Sequence, residues 1–155
     1  MLDINEIEKR LILHEGLVLK PYKCPRGFET IGVGHNIESR PFTEEEKRAL
    51  GDYKHGITKN GALMLLRNDV AICVKSLKQF PFWKELDDER KYALLDMCFQ
   101  LGINGLKKFK KMLSAIEVKD YIQASKECLN SEYAKQTPKR AGRIAILLKV
   151  GQWNV

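Results

Sequence analysis

Residues 58–78, TKNGALMLLRNDVAICVKSLK, constrain this chain more than any other stretch. Leu63, Leu66, Val70, Cys73, Val74 and Leu77 recur at helical spacing, and Met64, Leu65, Ala71 and Ile72 flank them. An amphipathic surface helix shows one apolar stripe, so a helix this broadly apolar has to be covered from more than one side. The spacing therefore predicts a long rod between two bodies of chain.

The chain before the rod changes period. Asp3 can cap the amide near Glu6 while Glu6 reaches back, and Ile4, Ile7, Leu11 and Ile12 then form one apolar stripe. Gly16 is expected to take the left-handed conformation that stops this helix, which makes Glu15 its last residue or nearly so. Residues 17–23 and 28–33 read as short strands joined by Cys24-Pro25-Arg26-Gly27, with Pro in the second and Gly in the last place of a type I turn. Residues 55–58, HGIT, are expected to add a third short strand.

Beyond the rod the signals are helical. Asp87 opens a helix that Gly102 closes, another lies near 117–130, and Thr137-Pro138 supplies an N-cap and first-turn proline before Ile144, Leu147 and Leu148, with Gly151 as the stop. A helix, a small sheet and then a run of helices make an α+β fold. The 155 residues suit a single bilobal domain. Its expected parts are a small lobe over about 13–60, the linking helix over about 58–78, and a helical lobe over about 79–155 that also takes in the helix at 3–15.

Composition narrows the class of function. Hydrophobic content of 44% with 30% charged residues is that of a soluble globular chain. The first residues, MLDINEIEKR, carry acids where a signal peptide needs a basic region, and no apolar run approaches a membrane span, so synthesis in a cytoplasm is expected. Cys24, Cys73, Cys98 and Cys128 lie far apart with no CxxC spacing, against both a zinc site and a redox pair. Cys73, Cys98 and Cys128 fall in apolar helical patterns and read as small core residues. The net charge of +7 favours an anionic partner: nucleic acid, an acidic envelope polymer or a membrane surface. The run 107-KKFKK-111 reads either as a solvated helix end or as an anion-binding patch, and no nucleic-acid-binding motif accompanies it.

Chemistry concentrates in 14-HEGLVLKPYKCPRGFETIGVGH-35. A carboxylate at a helix C-terminus faces the negative end of the dipole, which disfavours its ionised form, so Glu15 suits a general acid that protonates a departing glycosidic oxygen. Cys24 at the bend can fold back opposite it as a base or a nucleophile, or be an inert turn thiol, and Thr30 on the return strand can hold a water through its hydroxyl. Glu29 alternates with Thr30 and should face the other side of the strand.

Glu-x8-Cys-x5-Thr within HEGLxLxxY…GFxTIGVGH resembles the phage lysozymes, or endolysins, of the T-even type. The resemblance continues through ITKNGALMLLRNDV, MCFQLGINGLKKF and SEYAKQTPKRAGRI, in the same order and over most of the chain. It implies a two-lobed muramidase that binds peptidoglycan in a cleft, needs no cofactor or metal, and acts as a monomer in a host cytoplasm until a holin-type membrane partner releases it to the periplasmic wall. It implies Glu15 as the general acid, Thr30 as the residue that positions water, and Cys24 at the place where many members have aspartate. Gly34, Asn36, Phe99 and Gln100 match positions lining the sugar-binding cleft, with core packing an equal reading of Phe99. Arg140 matches an arginine that pairs with the catalytic glutamate, or is a solvated first-turn residue. His35, in a Gly-rich segment, could be a base, whereas the resemblance implies a structural partner of Asp69.

Cysteine for aspartate changes the chemistry, because an ordinary thiol is only a few per cent thiolate at pH 7. Two readings stand beside the glycosidase: a binding module of the same fold that has lost catalysis, and a membrane-active cationic protein with Lys139, Arg140, Arg143 and Lys149 flanking the last helix.

Overall fold

The computed structural model describes residues 1–153, which form an α+β fold of two compact units, one spanning Asp3–Ala71 and one from Ile72 onward with Met1–Leu2. The first unit opens with α1 (Ile4–Glu15), where the Asp3 carboxylate accepts from the amides of Asn5 and Glu6 at 2.7 and 3.2 Å. The expected return bond from Glu6 is replaced by an ion pair one turn on, with Arg10 Nε at 3.3 Å from Glu6. Gly16 ends α1 with φ 77° and ψ 173°, and its amide bonds Ile12 O at 2.7 Å. The positive φ agrees with expectation, but ψ places Gly16 in the extended region open essentially to glycine alone, not in the left-handed helical one.

Three antiparallel strands follow in the order β1 (Val18–Lys23), β2 (Glu29–Gly32) and β3 (His35–Asn36). The β1–β2 register shifts between Val18 and Tyr22, where Pro21 has no N–H to give to a ladder. Segment 55–58 is not the third strand. Residues Tyr53–His55 form a 3-10 turn, and Ile57 gives β1 a single bond, from its amide to Leu19 O at 2.8 Å. Ile57 instead drops its side chain into a small core with Ile31, Ala62 and Leu65, bordered by Leu17, Phe42, Leu50 and Tyr53.

A helix with no counterpart in the sequence reading, α2 (Glu44–Leu50), carries a full capping box in which Thr43 and Glu46 bond each other's amides. Thr-x-x-Glu was the available signal. Glu46 is only 1% exposed, and Arg40 meets it through both terminal guanidinium nitrogens at 3.0 and 2.8 Å. Asn68 donates to it as well, at 2.9 Å. Arg40 Nε reaches Asp69 at 2.6 Å, and the other Asp69 oxygen meets His35 Nδ1 at 2.7 Å, the expected pair. His35 Nε2 faces the carbonyl of Arg40 at 3.0 Å, and the ring stacks on Phe42. Both ring nitrogens thus face acceptors.

The rod is α3 (Lys59–Leu77), which contributes residues to both units. Its Arg67 donates to Glu8 of α1 at 2.7 Å, and Glu8 is buried. That ion pair ties α3 to α1 within the first unit.

The second unit is built from α4 (Asp88–Lys107), α5 (Lys110–Glu117), α6 (Tyr121–Leu129), α7 (Glu132–Gln136) and α8 (Pro138–Val150). Gly102, at φ 75° and ψ 162°, breaks α4 where a stop was expected. The single helix expected near 117–130 is instead the end of α5, a turn with Lys119 at φ 61°, and α6 opened by the Asp120 cap. Leu94, Leu95, Met97, Met112, Ile116, Ile144, Leu147 and Leu148 are buried as its core. Arg90 closes α8 by donating to the carbonyls of Leu148 and Lys149 at 2.8 and 3.0 Å.

Burial alone would push the Glu46 carboxyl up, but Arg40, Asn68 and the Thr43 amide outweigh it and hold it down to about 2, from 4.5. A carboxylate whose folded value lies below its unfolded value adds stability at pH above the unfolded value and loses it as pH falls through the folded one. Glu46→Gln should therefore cost on the order of 3 kcal/mol at pH 7, with the gap to the parent closing between about pH 4.5 and about 2; denaturant unfolding across that range checks it.

Candidate active site

The hairpin turn sets the geometry of the site. Gly27 N bonds Cys24 O at 2.8 Å, and Cys24 N bonds Phe28 O at 3.0 Å, so the ladder runs one step past β1. Tyr22 lies opposite Thr30 and Lys23 opposite Glu29. Side chains alternate along a strand, so Tyr22, Cys24, Phe28 and Thr30 share one face. Glu29 belongs to the other, where it accepts from the Tyr53 hydroxyl at 3.1 Å.

Cys24 is half-buried at the bend. Partial burial works against a thiolate there, but the backbone amides of Phe28 and Arg26, the Thr30 side chain and the Arg26 charge outweigh it, and the thiol is held below its ordinary value. Thr30 is 3% exposed and its hydroxyl lies 2.9 Å from Phe28 O. A hydroxyl has one proton to give, so Thr30 donates to that carbonyl while Cys24 is a thiol and can turn to the sulfur once it is a thiolate.

Glu15 sits at the C-terminal end of α1, half-buried, and Gly34 makes room for it. A Cβ at Gly34 would lie 2.8 Å from the Glu15 carboxyl carbon and from Oε1, and Gly34 has φ 61°. Glycine is thus required twice at this position, by the backbone and by the carboxyl against it. Tyr22 reports the same neighbourhood: partial burial, then the charges of Glu15 and Cys24, raise its phenol above its ordinary value. Asn36, opposite Thr30 on β3, spends its Oδ1 on the amides of Glu38 and Ser39 at 3.0 and 3.1 Å, which holds the next turn.

Glu15, Cys24, Thr30, Gly34 and Asn36 belong to the first unit; Phe99, Gln100 and Arg140 belong to the second. Phe99 is half-buried, and Gln100 donates to the Thr137 hydroxyl at 3.2 Å. Thr137 in turn donates to Tyr133 O at 3.1 Å and makes no side-chain cap on α8. Arg140 is 8% exposed and its Nε donates to Asp96 at 2.7 Å, so it is not a solvated first-turn residue. Asp96 is fully buried and also accepts from the Tyr92 hydroxyl at 2.9 Å. The sequence reading passed over Asp96 and Tyr22. Asp96 stands amid an apolar run and four residues after Tyr92, and Tyr22 lies two before Cys24 on a strand; these were the signals.

The other thiols are of a different kind. Burial pushes Cys128 up to about 12, and Cys98 is buried against Cys73, with which it shares a hydrogen bond. Among the described residues no cluster of His, Cys, Asp and Glu could hold a metal ion.

Gly34→Ala should force the Glu15 carboxyl from its place. The clash and the positive φ together should cost that variant about 1 to 3 kcal/mol of stability, which denaturant unfolding checks.

A family model described as phage lysozyme matches residues 13–144. The chain is 33% identical to probable T4-type lysozyme 1 of Dictyostelium discoideum, over 97% of this chain and 98% of that protein. It is 31% identical to an endolysin of Acyrthosiphon pisum secondary endosymbiont phage 1, over 86% and 84% of the two. The pre-baseplate central spike protein of Enterobacteria phage T4 is also 31% identical, over 88% of this chain but only 26% of the spike protein. With a family match over most of its length and relatives that align nearly end to end, the chain belongs to the phage lysozyme family and is a glycoside hydrolase of the lysozyme type.

Proposed function

We propose that this lysozyme hydrolyses the β-1,4 bond between N-acetylmuramic acid and N-acetylglucosamine in peptidoglycan, with Glu15 as general acid and Cys24, as thiolate, as general base. The observation that carries this reading is the hairpin bend, where two backbone amides, the Thr30 side chain and Arg26 favour the anion of Cys24. In the reaction Glu15 protonates the departing glycosidic oxygen as that C–O bond breaks. A water held by Thr30 forms the new bond to the anomeric carbon and gives its proton to Cys24. The outcome is inversion at the anomeric carbon. Gly34 and Asn36, and separately Phe99, Gln100 and Arg140, are the residues we assign to substrate binding.

The biological role we infer is lysis of a bacterial host by a monomeric enzyme. It accumulates in the host cytoplasm and reaches the periplasmic wall through a holin-type membrane lesion. No helix among the described residues is long and apolar enough to cross a membrane.

Glu15→Gln keeps shape but has no proton to deliver, so turnover should fall by two orders of magnitude or more while thermal stability holds or rises. Lysis that survived it would return the membrane-active reading. Product-anomer analysis checks inversion.

Iodoacetamide should modify Cys24 before Cys73, Cys98 and Cys128, with loss of activity. Cys24→Ser should lose most turnover, while Cys24→Asp should stay lytic with its optimum moved to lower pH, since a carboxylate ionises well below a thiol. A Cys24→Ser enzyme as active as the parent from pH 5 to 9 would make the thiol a bystander.

A further inference from the structure

We propose that Tyr22 is a further catalytic residue, whose hydroxyl donates a hydrogen bond to the attacking water held by Cys24 and Thr30. The proposal rests on the reading of Cys24 as base and adds to it the group that orients the nucleophile.

The geometry comes from the hairpin. Tyr22 and Thr30 are direct partners across β1 and β2, and Cys24, two residues on, keeps its place in the ladder through its bond to Phe28. The three side chains therefore stand on one face in a fixed triangle, with neighbouring positions about 5 to 7 Å apart as cross-strand and same-strand alternation dictate. The Thr30 side chain reaches the Cys24 sulfur itself, so a water that touches both sits over the pair, on the face that Tyr22 shares. Tyr22 is half-buried, and its hydroxyl forms no hydrogen bond with another described residue, so its proton remains available. Partial burial, and after it the charges of Glu15 and Cys24, raise the phenol above its ordinary value, so it stays protonated and acts as a donor.

Stereochemistry assigns it the task. A water attacking carbon has two protons and two lone pairs. The Cys24 sulfur takes one proton and the Thr30 oxygen accepts the other. One lone pair must point at the anomeric carbon, and the remaining one needs a donor to fix rotation about the first three directions. Cys24 as an anion and Thr30, whose one proton is bound to Phe28 O or the sulfur, have none to give. Tyr22 does. The phenol keeps its proton throughout, so the balance of the hydrolysis is unchanged: one C–O bond forms, one breaks, and protons move from water to Cys24 and from Glu15 to the leaving oxygen.

Tyr22→Phe keeps the ring and its packing and removes only the donor. On a soluble peptidoglycan oligosaccharide kcat should fall about tenfold or more, the low end of what a positioned hydrogen-bonding group contributes. KM, thermal midpoint and the rate of Cys24 alkylation by iodoacetamide should all stay within about twofold of the parent. A kcat within twofold of the parent would reduce Tyr22 to a packing residue and overturn the proposal. So would a fall in kcat matched by an equal fall in alkylation rate, which would put the effect in the thiol and not in the water. Glu15→Gln and Cys24→Ser measured in the same assay separate the layers: if both are inactive and Tyr22→Phe is not, only the Tyr22 assignment fails, whereas an active Cys24→Ser removes the base on which it depends.

Discussion

Two backbone hydrogen bonds at one turn, Gly27 to Cys24 and Cys24 to Phe28, decide what the rest of the first unit can do. They lock the register of β1 against β2, and register decides which side chains share a face. A slip of one residue would set Glu29 or Ile31 opposite Tyr22 in place of Thr30. The turn those bonds close also brings the amides of Phe28 and Arg26 to the sulfur, so the bend that shapes the hairpin also makes its cysteine more acidic. Shape and reactivity here have one cause.

Around that hairpin lies a buried set of charges. Glu46 is nearly inaccessible, and such a carboxylate is tolerated only when its oxygens are fully engaged. Arg40 occupies both, Asn68 and the Thr43 amide add to them, and Arg40 passes on through Asp69 to His35 on β3. A short two-residue strand has few ladder bonds of its own to hold it, so β3 depends on this chain of ion pairs linking it to α2 and α3. The second unit repeats the device on a smaller scale, with fully buried Asp96 accepting from Arg140 and Tyr92.

Much of this was legible in the sequence because local rules acted alone. Asp3, the Cys24-Pro25-Arg26-Gly27 turn, the stop at Gly102 and the proline opening α8 are each set within about four residues, and the structure carries them out. What escaped reading depended on partners far along the chain. Residues 55–58 have the composition of a strand, but Ile57 is drawn into a core with Ile31 and Leu65. Thr137 looks like a cap, yet Gln100, 37 residues away, takes up its hydroxyl. Tyr22 reads as an ordinary strand residue until the register with Thr30 is known. Of the site, Glu15, Cys24 and Thr30 stood out because their types and spacing carry the chemistry, whereas the need for glycine at Gly34 appears only once the carboxyl against it is in view.

Pro21 interrupts β1 at its outer edge, where the sheet ends. An exposed edge strand is a template on which another chain can lay a strand of its own, and natural proteins blunt it with proline, bulges and lysine. β1 has all three, with Lys20 and Lys23 on either side of Pro21, and Ile57 already occupies the Leu19 carbonyl. The irregularity in the regular pairing thus also closes the hairpin to strand addition, and lets this edge stay open to solvent without becoming a template for aggregation.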